Sequence, residues 1–517
     1  MTAHANKNLV LAAMVFSVAM LFIDQTIVAI AIPNIQRQLS LSATGTQWVI
    51  NGYLLALSAL FAFGGRLGDV LGRRRMVVIG VTGFAIASAC CGFTPKGSIA
   101  EAWIIFFRVL QGLTAALLFP AASAIVFASF PLRERGRAMA IFFGVTGALT
   151  AVGPISGGFL TQWTWRAIFW INIPVAVVAL ILIWRSKPDD ERRPAPIDYR
   201  GTLLVTGGMG LAVLGLQQSS LWGWGNVATW VCVVGGLLLL VAFVRWELKA
   251  PSPLLRLRIF NNRGFSVETM VLALMSVVFV PFFFFASVYA QVSLGKKSAD
   301  AGEYIMYFFL GFVIAAQIGG RILDRRGAKP SVVLGSILGT IGFYLLAHKL
   351  TDLSLGKQTL NIIIAGGGLG LMLGVANTDA INRAPEANFG EVSGITQTAR
   401  NFGASLGLAI LGTILISQNK TNVTNALTKS GVPHGTASHV ASSFAAGSGS
   451  AAGSSSAAGQ PHALVHSVQL AFAHSTQTVF YVMAGVMAVT FLVAVRGLPR
   501  GRVEAPAEAL AAEPATG

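Results

Sequence analysis

Charge is scarce in this chain: Asp, Glu, Lys and Arg make up 11% of its 517 residues, where a soluble domain carries about 25%. Spread over a water-facing surface, so few charges would leave large apolar patches bare. The bilayer is the solvent that a mean hydropathy of +0.69 fits. Acids are scarcer than bases, 20 against 37, which leaves a net charge of +17. The bases lie in short breaks between apolar runs and build no basic domain, so they read as topology-setting charge and not as a nucleic-acid surface. Cysteine is nearly absent, and Cys90, Cys91 and Cys232 all fall inside apolar runs. That pattern offers neither a disulfide framework nor a metal site. No G-x-x-x-x-G-K-[ST] loop occurs, which speaks against a built-in ATP-driven pump, and GGGLGLMLG (366–374) lies in an apolar run with no strand before it, so it reads as helix-packing glycine. Short alternating strands are missing as well, which argues against a transmembrane barrel.

What is present is a series of long apolar runs. They predict fourteen membrane-spanning helices, at about 9–32, 47–64, 76–93, 102–129, 138–160, 167–184, 201–220, 228–246, 265–290, 304–319, 331–347, 360–380, 394–417 and 475–495. The first run is too long for the apolar region of a signal peptide and carries Asp24, so it is read as a span. With the N-terminus placed inside, 26 of the 37 Lys and Arg residues fall in inside segments, 9 fall in outside loops, and Arg108 and Arg400 fall in spans. That bias predicts a multi-pass protein of the cell (inner) membrane with both termini cytoplasmic. Residues 418–474 are expected to form a flexible outer loop, and residues 497–517 a disordered tail.

Two stretches resemble each other: GRLGDVLGRRR at 65–75 and GRILDRRGAKP at 320–330, at a constant offset of 255 residues. Both fall in inside loops, after the second and tenth spans. The expected architecture is therefore all-α: a six-helix half at 1–185, linkers with an inserted helix pair at 186–263, and a six-helix half at 264–496. Parallel repeats of this kind belong to transporters that rock two halves about a central site. In the first copy Gly65, Gly68 and Gly72 are expected to allow a tight turn and close helix approach. Asp69 is placed to pair with an arginine or accept from a helix N-terminus, and Arg73 and Arg74 to hold the loop at the inner face.

GRLGDVLGRRR resembles the signature loop of the major facilitator superfamily, and other stretches are similar to its fourteen-span drug:proton antiporter group. IDQTIVAIAIPNI (23–35) resembles that group's first-span motif, with Ala29 standing where asparagine is usual. RVLQG (108–112) resembles the fourth-span motif, GALTAVGPISGG (147–158) the fifth-span exporter motif, and TWRAIFWINIP (164–174) the loop into span six. The resemblance runs along nearly the whole chain. It implies that the first and fourth spans are neighbours, and that Gly153, Pro154, Gly157 and Gly158 act as a hinge or leak seal.

Few polar groups lie inside the spans, and they are the candidates for function. A carboxylate in a span is costly and usually faces a bundle interior or a water-filled cavity, so Asp24 is the expected proton carrier. Asp24 and Arg108 sit at matched depth, roughly 10 Å below the outer surface at about 1.5 Å per residue, so Arg108 is its expected charge partner. Gln111 is one turn from Arg108, and with Thr26 is expected to share this network or the substrate cavity. Glu268, shortly inside the ninth span, is grouped with the substrate cavity and network, as a second titratable site, with an interfacial group as the alternative. Asp379 and Arg400, with Asp324 of the second loop copy, are the expected inner gate.

These expectations add up to a secondary exporter, not an enzyme, with no cofactor and with protons and small lipophilic or cationic compounds as its partners. Efflux of a native metabolite, lipid or siderophore is the alternative. A membrane enzyme would place catalytic histidines in its spans, yet His434, His439, His462, His466 and His474 all fall in 418–474. Whether a periplasmic adaptor takes part is not written in the sequence.

Overall fold

The structure is a computed structural model. It describes residues 6–501 apart from 131–137, parts of 139–155, 189–195, 197, 297, 384–388, 430–432 and 439–461. Among the described residues it is built of helices without strands. The N-terminal half holds α1 (Lys7–Leu39), α2 (Ala43–Leu71), α3 (Arg73–Gly92), α4 (Ala100–Ser129), a short α5 (Ala167–Trp170) and α6 (Asn172–Ser186). The inserted pair is α7 (Tyr199–Trp222) and α8 (Val227–Glu247). The C-terminal half holds α9 (Arg263–Val292), α10 (Ser298–Arg326), α11 (Ala328–Lys349), α12 (Leu355–Asn382), α13 (Phe389–Lys429) and α14 (His462–Gly497).

Twelve described helices are long and apolar enough to cross a bilayer, and α2 makes a thirteenth if its segments Thr44–Phe61 and Phe63–Leu71, bent by 53°, count as one span. These thirteen match thirteen of the expected fourteen in order. The remaining one, 138–160, is interrupted by residues outside the described ones, and the tail beyond Gly501 lies outside them altogether. One boundary is corrected. The expected loop 418–474 is helical at both ends, because α13 runs on to Lys429 and α14 starts at His462. The reason is apolar spacing within a polar stretch: Val423 and Leu427, one turn apart, pack on Val468 and Ala471.

At the offset of 255 the halves correspond at a close helix contact and at a turn. A Cβ at Gly64 would overlap the Ala116 carbonyl of α4, and one at Gly319 would lie 2.9 Å from the Leu371 carbonyl of α12. Gly64 and Ala116 map onto Gly319 and Leu371 at that offset. The turn glycines correspond too, Gly72 at φ 104° and Gly327 at φ 82°, in the region where a side chain is disfavoured. The close approach therefore belongs to Gly64 and not to the expected Gly65 and Gly68, whose Cβ positions meet neighbours at 3.4 and 3.6 Å, close to ordinary contact.

The inserted pair is not a bystander. Gly208, Gly215 and Gly236 bring α7 and α8 together, and the outward face of α8 (Val231, Leu237, Leu238, Val241) is left exposed for lipid. Trp222 and Trp224 stand half exposed at the turn, as suits an interfacial aromatic belt. On its inner side α7 reaches both halves. Asn51 of α2 donates to Gln217 of α7 at 2.7 Å, Ser405 of α13 donates to Asn51, and Thr413 of α13 donates to the Leu216 carbonyl at 3.0 Å. Asn51, Gln217 and Ser405 are fully buried. Elsewhere the halves meet where Gln291 of α9 donates to the Ile30 carbonyl of α1 at 3.2 Å.

Candidate functional site

Asp24 lies in mid-helix on α1, whose start is capped by the Asn6 side chain at 3.2 and 3.4 Å and whose centre is mostly buried, with Phe22, Ile23 and Gln25 partly exposed beside Asp24. Arg108 and Gln111 sit one turn apart on α4, so they share a face. These three side chains converge. Arg108 Nη1 donates to Asp24 Oδ2 at 2.5 Å and to Gln111 Oε1 at 2.8 Å, while Gln111 Nε2 donates to Asp24 Oδ1 at 3.0 Å. Arg108 is 1% exposed, and Asp24 and Gln111 are fully buried. Every contact inside this ring is a charge-assisted or amide hydrogen bond in a water-excluded setting, which is what an intramembrane ion pair needs to persist.

Two members of the site are not apparent from the sequence, and both come from α2. The Val49 carbonyl accepts from Arg108 Nε at 2.7 Å, and the guanidinium carbon lies 4.5 Å from the centre of the Tyr53 ring. Val49 and Tyr53 are one helical turn apart, so α2 offers a carbonyl and an aromatic face to the same cation. A tyrosine in a span was the available signal. A backbone carbonyl leaves none.

The fifth-span glycines press on the same part of α1. A Cβ at Gly153 would overlap Thr26 Oγ1 and lie 3.0 Å from the Ile23 carbonyl. One at Gly157 would lie 2.9 Å from Ile27 Cγ1. Thr26 thus sits under Gly153, next to the ring around Asp24 on the chain, and Gly158 is buried as well. Pro154 lies outside the described residues. At the loop, Arg73 donates to Asp69 Oδ1 through Nη2 at 2.9 Å and Nε at 3.2 Å, spanning the turn at Gly72, and Arg74 is half-buried beside it.

The expected inner gate is corrected. Asp379 pairs with Arg383, Nε to Oδ2 at 2.5 Å, and not with Arg400. Spacing decides this: Arg383 is one turn from Asp379 at the end of the same helix, whereas Arg400 lies on α13 and bonds to Gln397 Oε1 at 3.0 Å. Asp324 joins neither. It is exposed and unpaired among the described residues, because Ala328 stands where the first copy has Arg73. Glu268 is not interfacial either. It is fully buried, neither oxygen has a hydrogen-bond partner among the described residues, and the charges acting on it are those of Asp379 and Arg383.

Comparison with known proteins places this geometry. Residues 14–408 match the family model described as Major Facilitator Superfamily. The chain is 36% identical over 412 residues to the tetracenomycin C resistance and export protein of Streptomyces glaucescens, covering 79% of this chain and 76% of that one. It is 27% identical to multidrug resistance protein Stp of Mycobacterium tuberculosis over 93% of this chain and 90% of that one. Among solved structures, a bacterial homologue of the human lysosomal transporter Spinster in its inward-facing, unoccupied conformation superimposes with a TM-score of 0.65 at 17% identity, covering 96% of this chain and 98% of that one. Two glycine-matched halves, an ion pair buried between the first and fourth helices, and a family match across most of the chain meet in one conclusion: this is a multi-span membrane transporter that belongs to the Major Facilitator Superfamily.

Proposed function

We propose that the chain is a proton-coupled exporter, a drug:proton antiporter that moves amphipathic or lipophilic compounds by alternating access. It would sit in the cell (inner) membrane with the arginine-rich loops and both termini in the cytoplasm, as the charge bias favours. The observation that carries this reading is the ring of Asp24, Arg108 and Gln111, an ionisable pair sealed from water between two helices of the N-terminal half. Proton binding at Asp24 removes the negative charge that holds Arg108. The guanidinium keeps Gln111, the Val49 carbonyl and the Tyr53 face, so the released element is α1. The Gly153 and Gly157 contacts pass that freedom to the fifth span. Proton binding and a shift of α1 are thus one event, which is the requirement for coupling.

A second reading, a dedicated exporter of one native metabolite, lipid or siderophore, is favoured by a relative named for a single compound, tetracenomycin C. Cells lacking their own pumps, loaded with ethidium and then given a proton gradient, separate the two. Gradient-driven loss that stops with protonophore and with Asp24→Asn supports proton-coupled multidrug export. No loss of ethidium or of other lipophilic dyes from wild-type cells rejects multidrug export and leaves the dedicated cargo.

The two loop copies supply an internal control. The Asp69–Arg73 pair is partly exposed, so breaking it costs stability less than about 1 kcal/mol. Asp69→Asn is nevertheless expected to slow efflux several-fold, because the pair ties α2 to α3 across the Gly72 turn. Asp324→Asn, which breaks no pair among the described residues, is expected to leave efflux unchanged. Equal efflux in the two variants, measured at matched expression, would remove the loop from the mechanism.

A further inference from the structure

The pairing of Asp379 with Arg383 leaves Arg400 as an intramembrane cation with no carboxylate partner among the described residues. Its Nε is shut off from solvent and has no acceptor, and its Nη1 reaches only the neutral Gln397. One residue on, Asn401 is 5% exposed, and its Nδ2 also has no acceptor. Arg400 as a whole is half-buried, yet a protein interior does not ordinarily keep a buried Nε and a buried amide without acceptors, since each opposes folding.

The contacts of α13 fix where this group points. Gly394 and Ser405 meet Phe61 and Asn51 of α2, and Gly412 meets Gln47, so these residues mark one face. Gly403 and Gly407 lie against the Ala273 and Val277 carbonyls of α9, on the far side of the helix. Thr413 marks the face toward α7. At about 100° per residue, Gln397 falls in the sector that remains, opposite α7, with Arg400 at its edge toward α9 and Asn401 at its edge toward α2. Since α2 belongs to one half and α9 to the other, that sector faces the space between the halves, through which cargo must pass. The unpaired acid of α9, Glu268, is no counter-ion there, because Asp379 and Arg383 of α12 are the charges that act on it. On the N-terminal side, Asp24 and Arg108 cancel.

We infer that Arg400, with Asn401 beside it and Gln397 orienting it, is a cargo-binding site for compounds that carry an anionic oxygen, a carboxylate or an acidic phenol. The site consists of donors, with one full positive charge that no carboxylate among the described residues cancels. A guanidinium held by Gln397 offers a fork suited to a carboxylate, and Asn401 adds a second direction of donation. This rests on the exporter reading for its use but names what that reading leaves open: the chain favours acidic aromatic cargo over cations of the same size.

The test is equilibrium binding to the purified full-length protein in nanodiscs, with no gradient, using 2-naphthoate and its uncharged methyl ester as probes. Wild type is expected to bind naphthoate more tightly than the ester. Arg400→Gln is expected to weaken naphthoate binding by roughly tenfold to a hundredfold, the size of a lost charge-assisted hydrogen bond, while ester binding stays put and reports an intact fold. Arg400→Lys, which keeps the charge and loses the fork, falls between the two. A wild type that does not prefer naphthoate overturns the site, as does an Arg400→Gln protein that binds naphthoate like wild type. Because no transport is measured, the two readings fail or stand separately: Arg400-dependent binding in a protein that moves no dye supports the site and removes multidrug export, leaving a dedicated acidic cargo.

Discussion

Arg108→Ala is expected to abolish export and to destabilise the protein by about 3–5 kcal/mol, the loss found when one member of a buried ion pair is removed and the other is left charged. That magnitude suits this site because Asp24 is fully buried, with Gln111 at 3.0 Å as the donor left to it. Asp24→Asn is expected to behave differently. It leaves Arg108 charged without its counter-ion, but at nearly constant shape and with an acceptor kept for Gln111. Arg108 is still bonded to Val49 and Gln111 and lies over Tyr53, so stability falls less than in Arg108→Ala and the fold survives while gradient-driven efflux is lost. The double variant Asp24→Asn with Arg108→Gln should regain most of the stability that Arg108→Ala loses, and none of the transport. Thermal unfolding in nanodiscs read beside dye efflux separates these outcomes. If Arg108→Ala were as stable as wild type, the pair would be open to water and its place in coupling would be lost.

That pair is legible in the sequence because depth along a span is a linear function of residue number. Counting residues from the span ends is enough to set Asp24 and Arg108 at one level. The half-repeat is legible for a similar reason, since a constant offset of 255 residues survives any error in span boundaries. What the sequence hides are choices made by close contact. Arg383 and Arg400 are both basic residues near Asp379, and only the one-turn spacing on a shared helix, D-x-x-x-R, distinguishes them. Gly65 belongs to the recognisable motif, yet it is Gly64 that touches the Ala116 carbonyl, one position to the side. Residues 418–429 read as loop because Asn, Thr and Lys dominate them, while two apolar residues one turn apart are enough to extend α13. In each case the missing information is which neighbour a side faces, and a single sequence records spacing but not neighbours.

The fifth-span glycines carry the other large effect. Gly153→Leu is expected to abolish efflux and destabilise by about 1–3 kcal/mol or more, as overpacking of a tight helix contact does. Even alanine is not tolerated freely there. Its methyl would overlap Thr26 Oγ1, a branched side chain with little room to turn, and would still sit 3.0 Å from the Ile23 carbonyl. The strain falls on α1 at residues 23–27, so it displaces Asp24 relative to Arg108, whose contact at 2.5 Å has no slack. Gly153→Ala should therefore impair efflux more than Gly320→Ala, where no atom lies within 4 Å of the new methyl. Removing the opposing hydroxyl with Thr26→Ala should return part of the efflux to the Gly153→Ala protein. The return is only partial, because the backbone contact with Ile23 remains. If Thr26→Ala rescues nothing, the glycine acts elsewhere than on α1, and the link from the fifth span to the Asp24 pair is broken.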